Sequence, residues 1–587
     1  MKTRILFFLI ITLSLFLRTW KIDKFPATLY GDEQAFAWNA YNILHLGTDE
    51  YGNPYPLQFK SFDDYKAPIP VYLLVPFIKI LGFNPFAIRL PIALASTLTV
   101  LAAYFLARLF FNKKISLLIT FLMAVSPWHI HLSRGFFEAT LALLWFILGI
   151  YFFLKSGDRL KLMLLSMMFF GLSLYSYFTP RILVPIFLVF LIWYKGVYNR
   201  FLHLGNSSTP GVYRRRNTTP VVFPCRGILK AYLLSSIFLI FITLPLLKLT
   251  FFDKGFSRFN KLSEGMNTII VNTVGQERFA SGLPQNWRIL FHNKATVWLR
   301  MIKNNYLEHL SANFWYIYGD NSLRYFTGNM GMFYLLEFPF MILGLYYLWK
   351  DKKEVAILFL GWILLAPIPA SIVGRSFAVR SLSMLPAPFI FVGYGIYKLM
   401  RLVFGPSTPG ESLRAAPGVS LRNGHLEGVT KLLLPGVITF GFVLSIGTLL
   451  IRYYLEYPVY AATWWGWENK AALDYAKARE SKYDKIFISD FYSGGTLAFA
   501  VYNKYDPLKY RYAVNHPVIL SDGRKMIRFG KYYYGSLDLD DERLRNKVIP
   551  DKSLYIGRPE EPEGEDRIVA PDDGRLIFVV HDTLKKQ

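Results

Sequence analysis

Two adjacent carboxylates, Asp32 and Glu33, and a lysine followed closely by proline, Lys66-Ala67-Pro68, lie in one polar stretch between apolar segments. A carboxylate can take the proton of a hydroxyl nucleophile. A cation can hold a phosphate that gains charge as it leaves. Together, at the edge of a bilayer, these types suit group transfer from a lipid that carries a phosphate. The plainer reading of Asp32 is a helix cap, since Asp is among the preferred capping residues. Glu33 then falls in the first turn, where the helix dipole favours negative charge.

The stretch after the pair reads as a helix. Ala37, Ala40, Tyr41 and Leu44 recur at i, i+3, i+4 and i+7, and Gly47 supplies a stop. An apolar stripe directly after a hydrophobic segment predicts a helix lying on the bilayer surface.

Composition puts the rest of the chain in the membrane. The 587 residues are 53% hydrophobic and 17% aromatic, with only 18% charged residues, against about 25% in soluble proteins. The mean hydropathy is +0.29. The net charge of +26 does not call for nucleic acid, because much of the excess sits in short loops between apolar runs. Cys225 is the single cysteine, so no intrachain disulfide forms.

Apolar runs begin at Ile5–Leu17, an uncleaved first span with basic residues before it. Ile69–Phe83 is short and broken by Pro70, Pro76 and Lys79, and is read as re-entrant. With that reading the basic loops from Lys113 onward all fall inside. The loop from Lys195 to Lys230 carries seven Lys/Arg and no acid. The expected architecture is a polytopic α-helical membrane protein of about eleven transmembrane helices over residues 1–451. A first outside loop spans 18–68 and a large outside loop 251–329. Residues 452–587 are expected to form a small extracytoplasmic α/β domain. The N-terminus is placed in the cytoplasm and the protein in the plasma membrane. Gly205–Gly227 and Gly405–Gly428, both rich in Gly, Pro, Ser and Thr, read as disordered insertions.

Further charged groups fall on the outside face: Arg134 and Glu138 within Ser133–Glu138, and Arg375 and Arg380 between two late spans. Glu337 interrupts an apolar span, and ionisable groups at such depth usually serve a site. His129 and His131 are two residues apart, so they do not share a helix face, and the reading assigns them no metal.

Taken in order, Gly31-Asp32-Glu33, Asp49-Glu50-Tyr51-Gly52, Tyr65-Lys66-Ala67-Pro68, Ala87-Ile88-Arg89-Leu90-Pro91, Ser126-Pro127-Trp128, Phe137-Glu138-Ala139 and Leu174–Arg181 resemble the GT-C glycosyltransferases. The similarity is to the bacterial aminoarabinose-transferase and protein O-mannosyltransferase group, glycosyltransferase family 39-like. It covers most of residues 1–400. Two departures are Ala67 where Pro-Pro is common and a C-terminal region without a recognised acceptor module. The resemblance implies a sugar donor on a polyprenyl phosphate, inversion at the anomeric carbon, and a glycan, lipid or protein hydroxyl as acceptor. Asp32, Glu33 and Glu138 are the expected catalytic residues. Lys66, Arg375 and Arg380 are expected at the donor phosphate, and Arg134, Tyr177, Arg181 and Glu337 at the substrate. No cofactor is called for, and a divalent metal is left open. Membrane lipids are expected partners and nucleic acid is not. A lipid-linked glycan polymerase or ligase is the alternative enzyme. A transporter is a further reading, although the paired repeats expected of one are not found.

Overall fold

The computed structural model describes residues 2–62, 64–157, 159–205, 226–251, 257–374, 378–405, 424–537 and 549–585. Arg375 and both Gly/Pro/Ser/Thr-rich insertions fall wholly or largely outside these residues.

Helix α1 (Lys2–Thr19) leads through an irregular stretch to α2 (Gly31–Leu46), which ends at Gly47 in the left-handed conformation, φ 68°. A small antiparallel hairpin follows, β1 (Phe59–Ser61) and β2 (Asp64–Lys66), with Phe59 opposite Lys66. Pro68 then opens α3 (Pro68–Leu81), which stops at 14 residues. That is short of the roughly 20 that cross a bilayer.

Helix α4 (Pro85–Arg108) starts where the Asn84 side chain accepts the Ala87 N–H at 2.9 Å. Helices α5 (Lys113–Ala124) and α6 (Pro127–Ser133) form one apolar segment bent by 55°. Pro127 explains the break, because its ring has no N–H for the preceding turn. The bundle continues with α7 (Glu138–Ser156), α8 (Leu160–Ser176), α9 (Thr179–Gly205) and α10 (Arg226–Phe251). An arm of three helices comes next: α11 (Ser257–Ala280), α12 (Gln285–Phe291) and α13 (Lys294–His309). Helices α14 (Glu337–Asp351), α15 (Lys353–Leu365), α16 (Ile368–Val373), α17 (Ala378–Ser381), α18 (Ala387–Phe404) and α19 (Gly424–Ile451) complete the bundle.

Among the described residues six helices are long and apolar enough to span, or seven with the bent α5–α6 pair. Three shorter apolar helices cover Pro68–Leu81, Leu160–Ser176 and Lys230–Leu246. Several segments of the eleven expected therefore fail on length or carry charges. The protein is a multi-pass membrane protein.

After α20 (Tyr457–Tyr460) and α21 (Trp467–Lys477), the chain builds a seven-stranded sheet. Its strands are β3 (Lys485–Ile488), β4 (Val518–Ile519), β5 (Lys525–Phe529), β6 (Tyr532–Tyr534), β7 (Ser553–Gly557), β8 (Asp566–Val569) and β9 (Leu576–Asp582). They lie in the order β4-β5-β6-β3-β7-β9-β8, with β3 parallel to β6 and β7. Helices α22 (Gly495–Asn503) and α23 (Pro507–Asn515) follow β3 and pack on α2.

That packing corrects one expectation. Helix α2 does not lie on a lipid surface, because every residue from Glu33 to Ala40 is buried. It is enclosed by α3 on one side and by α22 and α23 on another. Its apolar stripe was real, but the opposite face is covered by protein rather than by water.

Candidate active site

Helix α2 is set in place by its first turn. The N-cap is Tyr30, whose N–H donates to Glu33 Oε2 at 3.2 Å. Asp32 therefore lies one residue inside the helix and is not its cap. Glu33 has no surface exposure. Its Oε1 accepts Arg89 Nε at 2.9 Å and the Phe136 N–H at 2.7 Å, and its Oε2 accepts Arg89 Nη2 at 3.0 Å. Arg89, from α4, also donates to the carbonyls of Ile22, Pro26 and Thr28 at 3.0, 2.8 and 2.6 Å. One guanidinium thus shapes the loop before α2 and locks its third residue. Glu33, expected among the catalytic groups, has its oxygens committed to this clamp.

Asp32 points the other way, with 42% of its side chain exposed. Its Oδ1 is 2.5 Å from Lys66 Nζ, a lysine only 8% exposed at the end of the hairpin. Burial pulls Lys66 downward, but Asp32, Glu138 and Asp64 outweigh it and raise its pKa, so it stays a cation. Its ammonium also lies 5.3 Å from the centre of the Phe36 ring. The hairpin tip is Phe62, at φ 51°. A Cβ added at Gly31 or at Gly494 would each meet the Phe62 ring at 3.6 Å. The tip is thus wedged between the start of α2 and the loop after β3.

Glu138, half-buried at the start of α7, raises the pKa of Lys66, Tyr30 and Tyr325 together with Asp32. Burial and these carboxylates push the Tyr30 hydroxyl well above its usual range. Tyr325 is raised in the same way, with Arg324 and Arg380 opposing. The large loop after the arm therefore brings Arg324 and Tyr325 to the pair, two residues the sequence reading passed over. Arg324 donates to the Trp464 carbonyl at 2.9 Å and stands 5.3 Å over the Tyr30 ring. Tyr30 stacks on Phe137 at 5.3 Å and meets Trp465 edge-on at 5.4 Å.

Arg380 is positioned through Ala378. Asp320 accepts the Ala378 N–H, and Trp128 Nε1 donates to the Ala378 carbonyl at 3.0 Å. Burial raises Asp320 to about 6. Arg380 and Tyr177 line a small cleft with Ala139, Phe146 and Thr179.

The remaining expected residues stand elsewhere. Arg134 is fully buried and donates to the carbonyls of Leu17, Trp20 and Phe25 at 2.9, 2.7 and 3.2 Å. Its guanidinium also covers Tyr453 and Tyr454. It fastens the end of α1, much as Arg89 fastens the loop after it. Arg181 donates to the Leu174 carbonyl at 3.3 Å and lies over Phe178. Glu337 is buried at the start of α14, with neither carboxylate oxygen hydrogen-bonded. His129 meets Arg18 at 2.6 Å, and His131 Nε2 meets the Arg324 carbonyl at 2.9 Å. Among the described residues no group of three His, Cys, Asp or Glu side chains is placed to hold a metal ion.

Residues 65–207 match the family model for dolichyl-phosphate-mannose-protein mannosyltransferase. No curated protein matches the chain. Among solved structures the chain is similar to ArnT from Cupriavidus metallidurans in the apo state, at 12% identity and a TM-score of 0.51, over 98% of each chain. The same protein bound to undecaprenyl phosphate matches at 12% identity and 0.50, over 97% of each. The archaeal oligosaccharyltransferase AglB from Archaeoglobus fulgidus, in complex with an inhibitory peptide and a dolichol-phosphate, matches at 14% identity and 0.49. That alignment covers 85% of this chain and 63% of AglB, so the chain spans less than two thirds of its length. At such identities the likeness is one of fold, shared with ArnT over nearly the whole of both chains.

Proposed function

We infer that the chain is an inverting glycosyltransferase that moves a sugar from a polyprenyl-phosphate donor to a hydroxyl acceptor outside the membrane. The observation that carries this reading is the pair of Asp32, open to the site, and Lys66, buried and charged, at 2.5 Å. The stretch that matches the family model for a dolichyl-phosphate-mannose enzyme, residues 65–207, includes that lysine. The similar fold of ArnT, solved with undecaprenyl phosphate, supports the same donor class.

The chemistry is a single displacement. The acceptor oxygen bonds to the anomeric carbon while the bond from that carbon to the phosphate oxygen breaks. Asp32 takes the acceptor proton, a contribution typically worth about 10²–10⁴-fold. Lys66 and Arg380 hold the phosphate as its charge grows. Glu138 positions the acceptor or the sugar, and Arg375, outside the described residues, is the alternative to Arg380 at the phosphate. Tyr177, in the cleft with Arg380, faces the sugar or its phosphate. An incoming phosphate competes with Asp32 for Lys66, so donor binding frees the base. The N-terminus is cytoplasmic, and the site and the C-terminal sheet lie outside.

The test is transfer from an undecaprenyl-phosphate sugar in detergent or nanodiscs. Asp32→Asn should bind undecaprenyl phosphate at least as tightly, since Lys66 loses its competing partner, and lose at least about 10²-fold in turnover. Lys66→Ala should weaken that binding. Near-normal turnover by folded Asp32→Asn would remove Asp32 as the base. Unchanged phosphate binding by Lys66→Ala would remove the lysine from the donor site.

A further inference from the structure

The arm α11–α13 has a core of its own, separate from that of the bundle. Ile270, Val274 and Val297 are buried there with Met301 against them. The other large apolar side chains described on the arm mostly face outward. At the tip, where α11 passes to α12, Phe279 is 93% exposed, and Trp287, Leu290 and Phe291 are 54%, 59% and 54% exposed. Trp287 and Phe291 stack one turn apart at 5.9 Å.

Between residues 278 and 303 the sequence carries Arg278, Arg288, Lys294, Arg300 and Lys303 and no acidic residue. Arg278 Nε donates to the His292 carbonyl at 2.7 Å, and Arg288 Nη2 to the Leu283 carbonyl at 3.1 Å. These bonds hold two of the cations beside the aromatic tip. The root of the arm is bound to the bundle instead. Asn305 Nδ2 donates to the Ser371 carbonyl at 3.1 Å and the Tyr306 hydroxyl to the Leu364 carbonyl at 2.8 Å.

A contiguous patch of aromatic and aliphatic side chains is rarely left in water by a soluble surface. Cations beside exposed Trp and Phe are the composition of segments that lie in a lipid interface. The charge complements anionic headgroups. We propose that the arm is a monotopic membrane element, its tip at Phe279, Trp287, Leu290 and Phe291 inserted in the leaflet on the active-site side. Arg278, Arg288 and Lys294 then lie at the headgroup phosphates. Helix α13 has 16 residues and reaches about 24 Å, so the tip engages lipid well away from the root.

The test uses the full chain with Cys225→Ser and one new cysteine carrying an environment-sensitive fluorophore. Leu290→Cys reports the tip, and Ser521→Cys, in an exposed turn of the C-terminal sheet, reports water. In single-copy nanodiscs of phosphatidylcholine and phosphatidylglycerol, the Leu290 probe should emit to the blue of the Ser521 probe. Doxyl-labelled lipid should quench it at least about threefold more, and aqueous iodide less. Arg278→Gln with Arg288→Gln should shrink the part of that shift that needs phosphatidylglycerol. Iodide quenching without doxyl quenching would overturn the proposal. So would a blue shift seen only with two copies per disc, which would make a second copy the occupant. If Leu290→Cys does not fold, Phe279→Cys gives the same readout.

Discussion

Asp32 and Glu33 are neighbours in sequence with opposite surroundings, and that contrast can be measured. Glu33 and Arg89 are both fully buried and hydrogen-bonded to each other. Glu33→Gln leaves a buried guanidinium without its counter-charge, which costs about 3–5 kcal/mol. Melting in detergent should therefore fall sharply for Glu33→Gln and less for Asp32→Asn, whose carboxylate is 42% exposed and whose partner Lys66 keeps Glu138 and Asp64 nearby. Equal melting of the two would dissolve the distinction. Glu50 gives a second prediction. It accepts Asn39 Nδ2 at 3.3 Å, and burial raises it to about 7 from 4.5. The folded state then holds its proton more tightly than the unfolded chain does. Stability from this group is full below about pH 4.5 and is lost as pH rises to about 7, roughly 3 kcal/mol in all. Glu50→Gln should match the native protein at pH 4 and exceed it at pH 8. Parallel curves across that range would show that Glu50 ionises freely. Asp32 and Lys66 were legible because each stands beside a signal, a helix start and a proline turn. The clamp role of Glu33 was not, because its partner lies 56 residues away. Arg324 and Tyr325 lie nearly 300 residues from Asp32, in a loop with no local pattern to mark them.

At the scale of elements, periodicity identified α2 and misplaced it. A stripe shows which residues want burial, whereas tertiary packing decides whether the other face is wet. The shortness of α3 was legible in its short apolar run, although the helix runs through Pro76 and Lys79 rather than breaking at them. The closeness of α14 and α18 was not legible. A Cβ at Gly344 would fall 1.8 Å from the Phe391 carbonyl oxygen, and one at Gly395 would fall 2.0 Å from that of Phe340. Small residues let membrane helices approach in this way. Gly344→Val should push the two helices apart and cost at least about 1–3 kcal/mol, the usual price of overpacking. Gly447 in α19 has open space around it, so Gly447→Val is the control and should be close to neutral. Similar melting of the two variants would mean that the α14–α18 contact yields without cost.

For the whole molecule, the apolar core runs without a break from the bundle into the C-terminal sheet. Phe36 of α2 and Phe499 of α22 belong to one cluster. Arg511 donates to the Asp49 carbonyl and to Thr48 Oγ1 at 2.8 and 2.9 Å. Trp38 meets Tyr510 edge-on at 5.0 Å. Sequence composition marks residues 452–587 as a separate polar region, but these contacts make it a wall of the site. A chain ending at residue 451 should therefore insert and lose undecaprenyl-phosphate binding, measured in nanodiscs. Retained binding would show that the first loop keeps its shape unaided. The loop before α2 has a further property. Its Leu29 N–H donates to the Tyr502 hydroxyl and its Thr28 hydroxyl to the Trp465 carbonyl, across 473 and 437 residues of chain. This polar segment is thus fastened by residues made more than 400 positions later. Until Trp465 and Tyr502 have been made, that segment is without its final ties, open to proteases and chaperones. A chain cut before Trp465 carries Asp32 and Lys66 but neither of the bonds that shape the loop before α2.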